Sequence, residues 1–195
     1  MDLLKVLENL IPCIKGKWFV GDGALLGLIR EGKLIDYDND IDLYILEDTE
    51  IDLSSSVLEE QDYYLCKKIY YPNNKYKPVH LWNTYLSYLK LSFPHYDRQR
   101  LFKYASPRYP TEKIVHKFTE NHIDIFTLYK NGDKWRLSEN IRQDWAHHNH
   151  TKEDLELTEN NDFGFPVNIP KNAEDILERQ YGYDWRIPNK NFKYY

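Results

Sequence analysis

The stretch WFVGDGALLGLIREGKLIDYDNDIDLYI, from Trp18 to Ile45, decides the fold of this chain. It contains, in order, a short apolar run, a glycine turn, an apolar run of helical character, a charged link and a second strand-like run. That order predicts a strand, a turn, a helix and another strand, with strand and helix signals alternating along the chain. We therefore expect an α/β structure.

The second strand-like run, DIDLYI, alternates strictly in character. A strand has a side-chain period of two, so Asp40 and Asp42 lie on one face and the aliphatic residues lie on the other. Two neighbouring carboxylates repel each other, and such a pair usually needs a cation between them. Oxygen ligands suit Mg²⁺ or Mn²⁺. The alternative is that both acids are solvated strand residues.

The glycine turn consists of Gly21, Asp22 and Gly23 and precedes the apolar run. Glycine lets a backbone approach a ligand closely. A helix that begins near Gly23 would turn its free N–H groups and its dipole toward a phosphate over the turn. A phosphate-binding turn followed by a strand with metal-binding acids is a phosphoryl-transfer layout. A tight turn before a core helix is the simpler alternative.

A third carboxylate stands in the later stretch HIDIFTLY, residues 122–129. Alternation places His122, Asp124 and Phe126 on one face. An isolated Asp on an apolar strand is costly to bury unless it binds something. Beside the first pair, Asp124 would complete a metal site and accept the proton of an attacking hydroxyl. His122 is a weaker candidate that either orients an acid or is structural.

The stretch from Gly21 to Ile45 resembles the LicD/fukutin family of the nucleotidyltransferase superfamily, which has the DNA-polymerase-β-like fold. The matching residues are Gly23, Leu25, Leu26, Gly27, Arg30, Ile35, Asp38, Asp40, Ile41 and Asp42. Asp22 stands where the family usually has a first glycine, Ala24 replaces a hydroxyl residue that can touch phosphate, and Asp36-Tyr37 replaces Pro-Trp. The missing hydroxyl affects the expected phosphate contacts, not the metal pair.

The resemblance extends to two later segments, near residues 121–129 and 163–188. In the first, it implies that Asp124 is the third catalytic acid. In the second, the residues in family positions are Leu177, Glu178, Tyr181, Gly182 and Pro188. Arg30 also matches a family position and either braces the acid-bearing segment or contacts phosphate, and the resemblance does not fix which. The implied fold is a single nucleotidyltransferase domain over residues 1–195, with a small mixed sheet and packed helices.

The function implied by the resemblance is transfer of a phospho-alcohol group from a CDP-activated donor, such as CDP-choline or CDP-ribitol, to a hydroxyl acceptor on a glycan. Asp40, Asp42 and Asp124 would bind Mg²⁺ or Mn²⁺ and carry the catalysis, and Gly21, Asp22 and Gly23 would hold phosphate. Two alternatives use the same residues. One is nucleotidyl transfer to a small molecule, RNA or protein, and the other is an inactive binding module of the same fold.

Composition bounds the class of protein. The chain has 195 residues and a formal net charge of −5, and its pI near 5.8 argues against a dedicated nucleic-acid binder. Cys13 and Cys66 are its only cysteines, which favours free thiols in a reducing compartment. No apolar run reaches the ~20 residues of a membrane span, and the N-terminus lacks the pattern of a signal peptide. We therefore expect a cytoplasmic protein.

Periodicity and turn residues predict the remaining elements. An amphipathic helix is expected over residues 2–15, a loop and short helix over 47–60, and a strand over 63–71. Turns are expected at Pro72 to Pro78 and at Lys130 to Lys134, and a final helix runs from an N-cap at Asn172 to Gly182. Two groups of side chains are interpreted as solvated surface: Arg98, Arg100, Lys103 and Arg108, and the histidines His147, His148 and His150.

Overall fold

The computed structural model describes residues 3–51, 63–69, 77–78, 112–116, 121–137 and 149–189. These ranges form a mixed structure of the α+β type, which confirms the expected class at that level. The α-helices are α1 (Leu3–Leu10), α2 (Asp22–Glu31) and α3 (Ala173–Tyr181). The strands are β1 (Ile14–Lys15), β2 (Trp18–Gly21), β3 (Asp40–Leu46), β4 (Glu50–Ile51), β5 (Tyr63–Ile69), β6 (Lys77–Pro78), β7 (Glu112–His116), β8 (His122–Asn131), β9 (Lys134–Arg136), β10 (Leu157–Asn160) and β11 (Val167–Pro170).

The main sheet has the strand order β2-β3-β8-β7-β5-β6, and β9 pairs with β8. Among the pairings of the described strands, β3 with β8 is parallel and the others are antiparallel. A parallel pair needs a crossover connection, because the chain must return to the same end of the sheet before the second strand begins. The sheet is therefore mixed, and two strands distant in sequence lie side by side at its centre.

The core lies on the aliphatic face of β3 and β8. Ile41 and Leu43 of β3 and Ile123 and Ile125 of β8 are fully buried in one cluster with side chains of α1 and α2. In α1 the buried residues recur at helical spacing and are Leu3, Val6, Leu7 and Leu10. This confirms the amphipathic helix expected near the N-terminus, but the helix ends at Leu10 and is followed by a 3-10 turn at Ile11–Cys13 and by β1 instead of continuing to residue 15. The opposite face carries the polar residues at the start of each strand, and further along it packs a second buried cluster that includes Tyr44 and Leu128.

Helix α2 connects β2 to β3 and places the start of β3 close to its own first turn. Gly32 ends the helix with φ 67°, a left-handed conformation that glycine adopts at little cost. The chain then folds back across the helix at Gly27, where an added Cβ would lie 2.6 Å from the carbonyl oxygen of Lys33. The small residue at this crossing lets the link toward Asp38 pass close to the helix axis.

The C-terminal segment packs on the same unit. β10 and β11 form an antiparallel pair, β11 lies against β2, and α3 lies against α2. Helix α3 confirms the predicted helix, since Ala173, Ile176 and Leu177 are buried and Gly182 ends it with φ 89°. Asn172 occupies the N-cap position but makes no capping hydrogen bond. Its side-chain amide instead donates to Asp154 Oδ1 at 2.7 Å, so a tertiary contact replaces the local cap.

The turn predicted at Lys130 to Lys134 is confirmed as the hairpin between β8 and β9, with Gly132 at φ 65°. The strand predicted over 63–71 is described as β5. Within the turn predicted at 72–78, the last two residues form β6, and residues 72–76 lie outside the described ranges. The same holds for residues 52–60, for the basic group at 98–108, and for His147 and His148.

No helix in the described ranges combines the length and the apolar character that crossing a bilayer requires.

Candidate metal centre

The register between β3 and β8 brings the predicted acids together. Asp40 lies opposite His122, and Asp42 lies opposite Asp124, in a parallel ladder. Neighbouring strands are about 4.8 Å apart, and side chains two residues apart share a face. The four polar side chains therefore project from one patch of the sheet, opposite the aliphatic face. This register places the three predicted acids on one face, and their shared metal-binding role stays a prediction.

Three of these side chains could hold a metal ion. Asp40, His122 and Asp124 each offer one ligand atom, and the three atoms lie within 4.8 Å of one another. His122 Nε2 is 3.6 Å from Asp40 Oδ2 and 3.8 Å from Asp124 Oδ1. Adjacent ligands of an octahedral ion bound at about 2.1 Å are roughly 3 Å apart, so a small inward movement would close the set. Two oxygens and one nitrogen fit a divalent cation.

Asp124 is the enclosed side of this centre and Asp40 is its open side. Asp124 is only 7% exposed, whereas the side chain of Asp40 is about one-third exposed. An ion would therefore be anchored against the sheet and would face solvent, or a substrate, beyond Asp40. Catalytic metal sites need this kind of open position, because the reacting group must reach the ion.

Two more carboxylates next to this set are held in an acidic, partly dehydrated environment. Burial raises the pKa of Asp42 well above its usual range, and repulsion from Asp22, Asp40, Asp124 and Asp38 raises it further. The pKa of Asp38 is raised to about 8 by burial, by a hydrogen bond with Asp40 and by repulsion from Asp40. A hydrogen bond from the backbone of Asn39 lowers the pKa and offsets part of this rise. The patch thus concentrates negative charge that a divalent cation would neutralise.

The glycine turn lies at the edge of the same patch. Gly21 pairs with Asp42 across β2 and β3, and α2 begins at Asp22, one residue before the predicted start. A Cβ on Gly21 would lie 2.2 Å from the ring of Tyr44, and a Cβ on Gly23 would lie 2.7 Å from Asp38 Oδ2. Both glycines therefore make room for groups of β3 and the link before it. The first turn of α2 lies close to the acids.

Asp22 turns its side chain into the protein. It is 8% exposed and has φ 41°, a left-handed conformation that is costly for a residue with a side chain. Its carboxylate accepts hydrogen bonds from Tyr44 Oη at 2.8 Å and Gln180 Nε2 at 3.0 Å. The contact predicted between Asp22 and phosphate remains a prediction. Because the carboxylate accepts hydrogen bonds from Tyr44 and Gln180, the backbone N–H of Asp22, not its side chain, would contact the phosphate.

Arg30 lies at the other end of α2, about 12 Å along the helix from Asp22. Its guanidinium donates to Glu31 Oε1 at 2.6 Å and to the carbonyl oxygen of Trp185 at 3.4 Å. The contact with Trp185 ties α2 to the segment after α3. Of the two roles left open for Arg30, the described contacts correspond to a brace, although the partner is the C-terminal segment rather than the acid-bearing strand.

The interpretation of His150 as part of a polar surface loop is wrong. The residue is 1% exposed, and its ring meets the rings of Phe19 and Tyr44 edge-on, with centroids 5.5 and 5.3 Å away. Its backbone bridges to Trp135. These tertiary contacts bury His150, and no local pattern of the sequence around it signals them.

A second polar cluster lies beside His150, and the sequence did not indicate it. Asp154 is fully buried and accepts hydrogen bonds from Arg179 Nη2 at 2.7 Å, from Asn172 Nδ2 and from the backbone of Thr151. Burial raises the pKa of Asp154, but these hydrogen bonds outweigh it and the net shift is downward. The cluster links the segment before β10 to α3, so the role of Asp154 is structural.

No family model and no curated protein matches this chain.

Proposed function

We propose that the protein is a metal-dependent transferase of the nucleotidyltransferase fold. It would move a phospho-alcohol group from a CDP-activated donor to a hydroxyl acceptor, with a glycan as the expected acceptor. The observation that carries this proposal is the pairing of Asp42 with Gly21 on one side and Asp124 on the other. Acids from two strands next to a helix-starting turn are the elements that phosphoryl transfer needs.

The proposal gives separate roles to three carboxylates and to the backbone N–H groups at the start of α2. Asp40, Asp42 and Asp124 would hold Mg²⁺ or Mn²⁺, and the bound ion would supply charge neutralisation for the donor diphosphate. Asp124 would also accept the proton of the acceptor hydroxyl, the role expected of a third carboxylate beside the metal pair. The backbone N–H groups at the start of α2 would orient the donor phosphate.

A second candidate is a binding module without turnover, and Asp22 is the observation that favours it. Its carboxylate lies in the first turn of α2, where it occupies the electropositive end of the helix. A phosphate brought to that end would meet an existing negative charge. In this alternative the centre would bind a cation, and the nucleotide donor would not be consumed.

The test is donor consumption followed by mass spectrometry. We expect Mn²⁺- or Mg²⁺-dependent consumption of CDP-choline or CDP-ribitol, with gain of the phospho-alcohol mass on a glycan acceptor. Gain of a nucleotide mass would instead identify nucleotidyl transfer. Asp42→Asn should abolish turnover, while Asp48→Asn, the same change at an exposed residue after β3, should leave it unchanged. Metal binding without turnover across CDP-, UDP- and GDP-linked donors would support the binding module.

A further inference from the structure

We propose that His122 is a direct ligand of the metal ion, through Nε2, and that the centre therefore prefers a first-row transition ion such as Mn²⁺ over Mg²⁺. The inference deepens the proposed function and rests on its metal site. It assigns His122 a role beyond orienting an acid, and it predicts which cations the centre distinguishes.

The position of the imidazole favours a ligand over an orienting group. Nε2 lies between two carboxylates of different strands, 3.6 Å from Asp40 and 3.8 Å from Asp124. Both separations are longer than the 2.7–3.2 Å typical of an N–H···O hydrogen bond. A ring that oriented one acid would approach that acid closely, whereas here the nitrogen stands nearly equidistant from both. In this position the nitrogen can bind an ion together with one oxygen of each carboxylate.

The strand holds the ring in this place. His122 begins β8, and its backbone N–H donates to the carbonyl oxygen of Asn39 at 3.2 Å, which fixes it beside Asp40. Its side chain is 17% exposed, so it retains little freedom to turn away. A ligand atom fixed by the scaffold loses little conformational entropy when an ion binds, and such pre-organisation favours binding.

The donor atoms determine the preference between ions. Mg²⁺ takes oxygen ligands and keeps several waters, so an imidazole contributes little to its binding. Transition ions accept imidazole nitrogen, and their affinity for mixed nitrogen and oxygen sites rises along the series from Mn²⁺ to Cu²⁺. Loss of the nitrogen should therefore weaken transition ions selectively. Loss of Asp124 should weaken every divalent cation.

The test is pulsed electron paramagnetic resonance of the full chain loaded with Mn²⁺, which detects directly bound nitrogen independently of activity. We expect a nitrogen coupling in the wild type and in His147→Gln, and its loss in His122→Gln. By competition titration, His122→Gln should weaken Mn²⁺ and Co²⁺ by roughly tenfold or more and Mg²⁺ by less than about threefold. His122→Asn provides a second variant should His122→Gln fail to fold.

Three results would overturn the inference: no Mn²⁺ binding by the wild type, bound Mn²⁺ without nitrogen coupling, or a coupling that survives the His122 substitutions. Its failure differs from that of the proposed function. Nitrogen-coupled Mn²⁺ with no donor consumption would refute the transferase and leave the ligand assignment standing. Donor consumption supported by an ion that lacks nitrogen coupling would do the reverse.

Discussion

Tyr44→Phe should isolate the hydrogen bond that holds the Asp22 carboxylate. Tyr44 is fully buried, and its ring stacks between Phe19 and Phe126, with centroids 5.3 Å away on each side. Phenylalanine preserves this stacking and removes only the hydroxyl, which donates to Asp22 at 2.8 Å. After the substitution, a buried carboxylate keeps Gln180 and loses one of its two described side-chain donors.

A hydrogen bond to a charged group contributes about 1.5–3 kcal/mol, and leaving a buried acceptor unsatisfied has a similar cost. We therefore expect Tyr44→Phe to lower the free energy of unfolding by about 2 kcal/mol. For a chain of this length, that corresponds to a fall of about 4–8 °C in Tm. Urea unfolding followed by circular dichroism measures the change, and the slope with urea should stay constant.

The matched control is Tyr183→Phe, because Tyr183 is 87% exposed and should change the free energy of unfolding by less than about 0.5 kcal/mol. Asp22→Asn completes a double-mutant cycle, since the neutral amide removes the charge that the hydroxyl satisfies. The cycle should show coupling of at least about 0.5 kcal/mol. A Tyr44→Phe protein as stable as the wild type, or a cycle without coupling, would refute this account of Asp22.

Three further predictions concern packing, pH and metal. Gly21→Ala should lower the free energy of unfolding by more than about 2 kcal/mol, because its Cβ would meet the Tyr44 ring. The control is Gly132→Ala, where φ is 65° and the space is open, and it should lower the free energy of unfolding in urea by only about 1–2 kcal/mol. Equal losses would contradict the packing argument. The lowered pKa of Asp154 contributes stability that is present above its unfolded pKa near 4 and is lost as pH falls through the folded pKa. Asp154→Asn should therefore be less stable than the wild type at pH 7, and its stability should fall less steeply as the pH is lowered into the acid range. An unchanged fall in stability at acid pH would show that other groups cause it. Because the pKa of Asp38 is raised to about 8, cation binding should release protons, and the apparent affinity for Mn²⁺ should rise between pH 6 and pH 8.5. Calorimetry in buffers of different ionisation enthalpy measures this release, and a pH-independent affinity would argue against it.

The local elements around the site follow from sequence pattern. The alternation in DIDLYI and HIDIFTLY predicts two strands with acids on one face, and both are present as β3 and β8. The turn and helix between β2 and β3 are also predictable, because glycines and an apolar run of helical period mark them. These features depend on residues only a few positions apart, where propensity and periodicity are strong.

The features that depend on distant residues were not predictable in the same way. Alternation cannot show that Asp42 lies opposite Asp124 rather than two residues away, since register is set by the whole sheet. The burial of His150 depends on the rings of Phe19 and Tyr44. Asn172 has the expected cap position, but Asp154 competes successfully for its side chain. His122 was identifiable from its spacing to Asp124, although its distance to Asp40 was not.

The parallel pairing of β3 with β8 has a consequence for how the protein folds. β2 and β3 close a loop of about 20 residues, whereas Asp42 and Asp124 close one of about 80, which costs about 1.2 kcal/mol more in loop entropy. Contacts of long sequence separation tend to form late. We therefore expect nascent chains to carry Asp40 and Asp42 on an early β2–α2–β3 unit and to gain His122 and Asp124 in a later step, so that cation affinity itself would report that step.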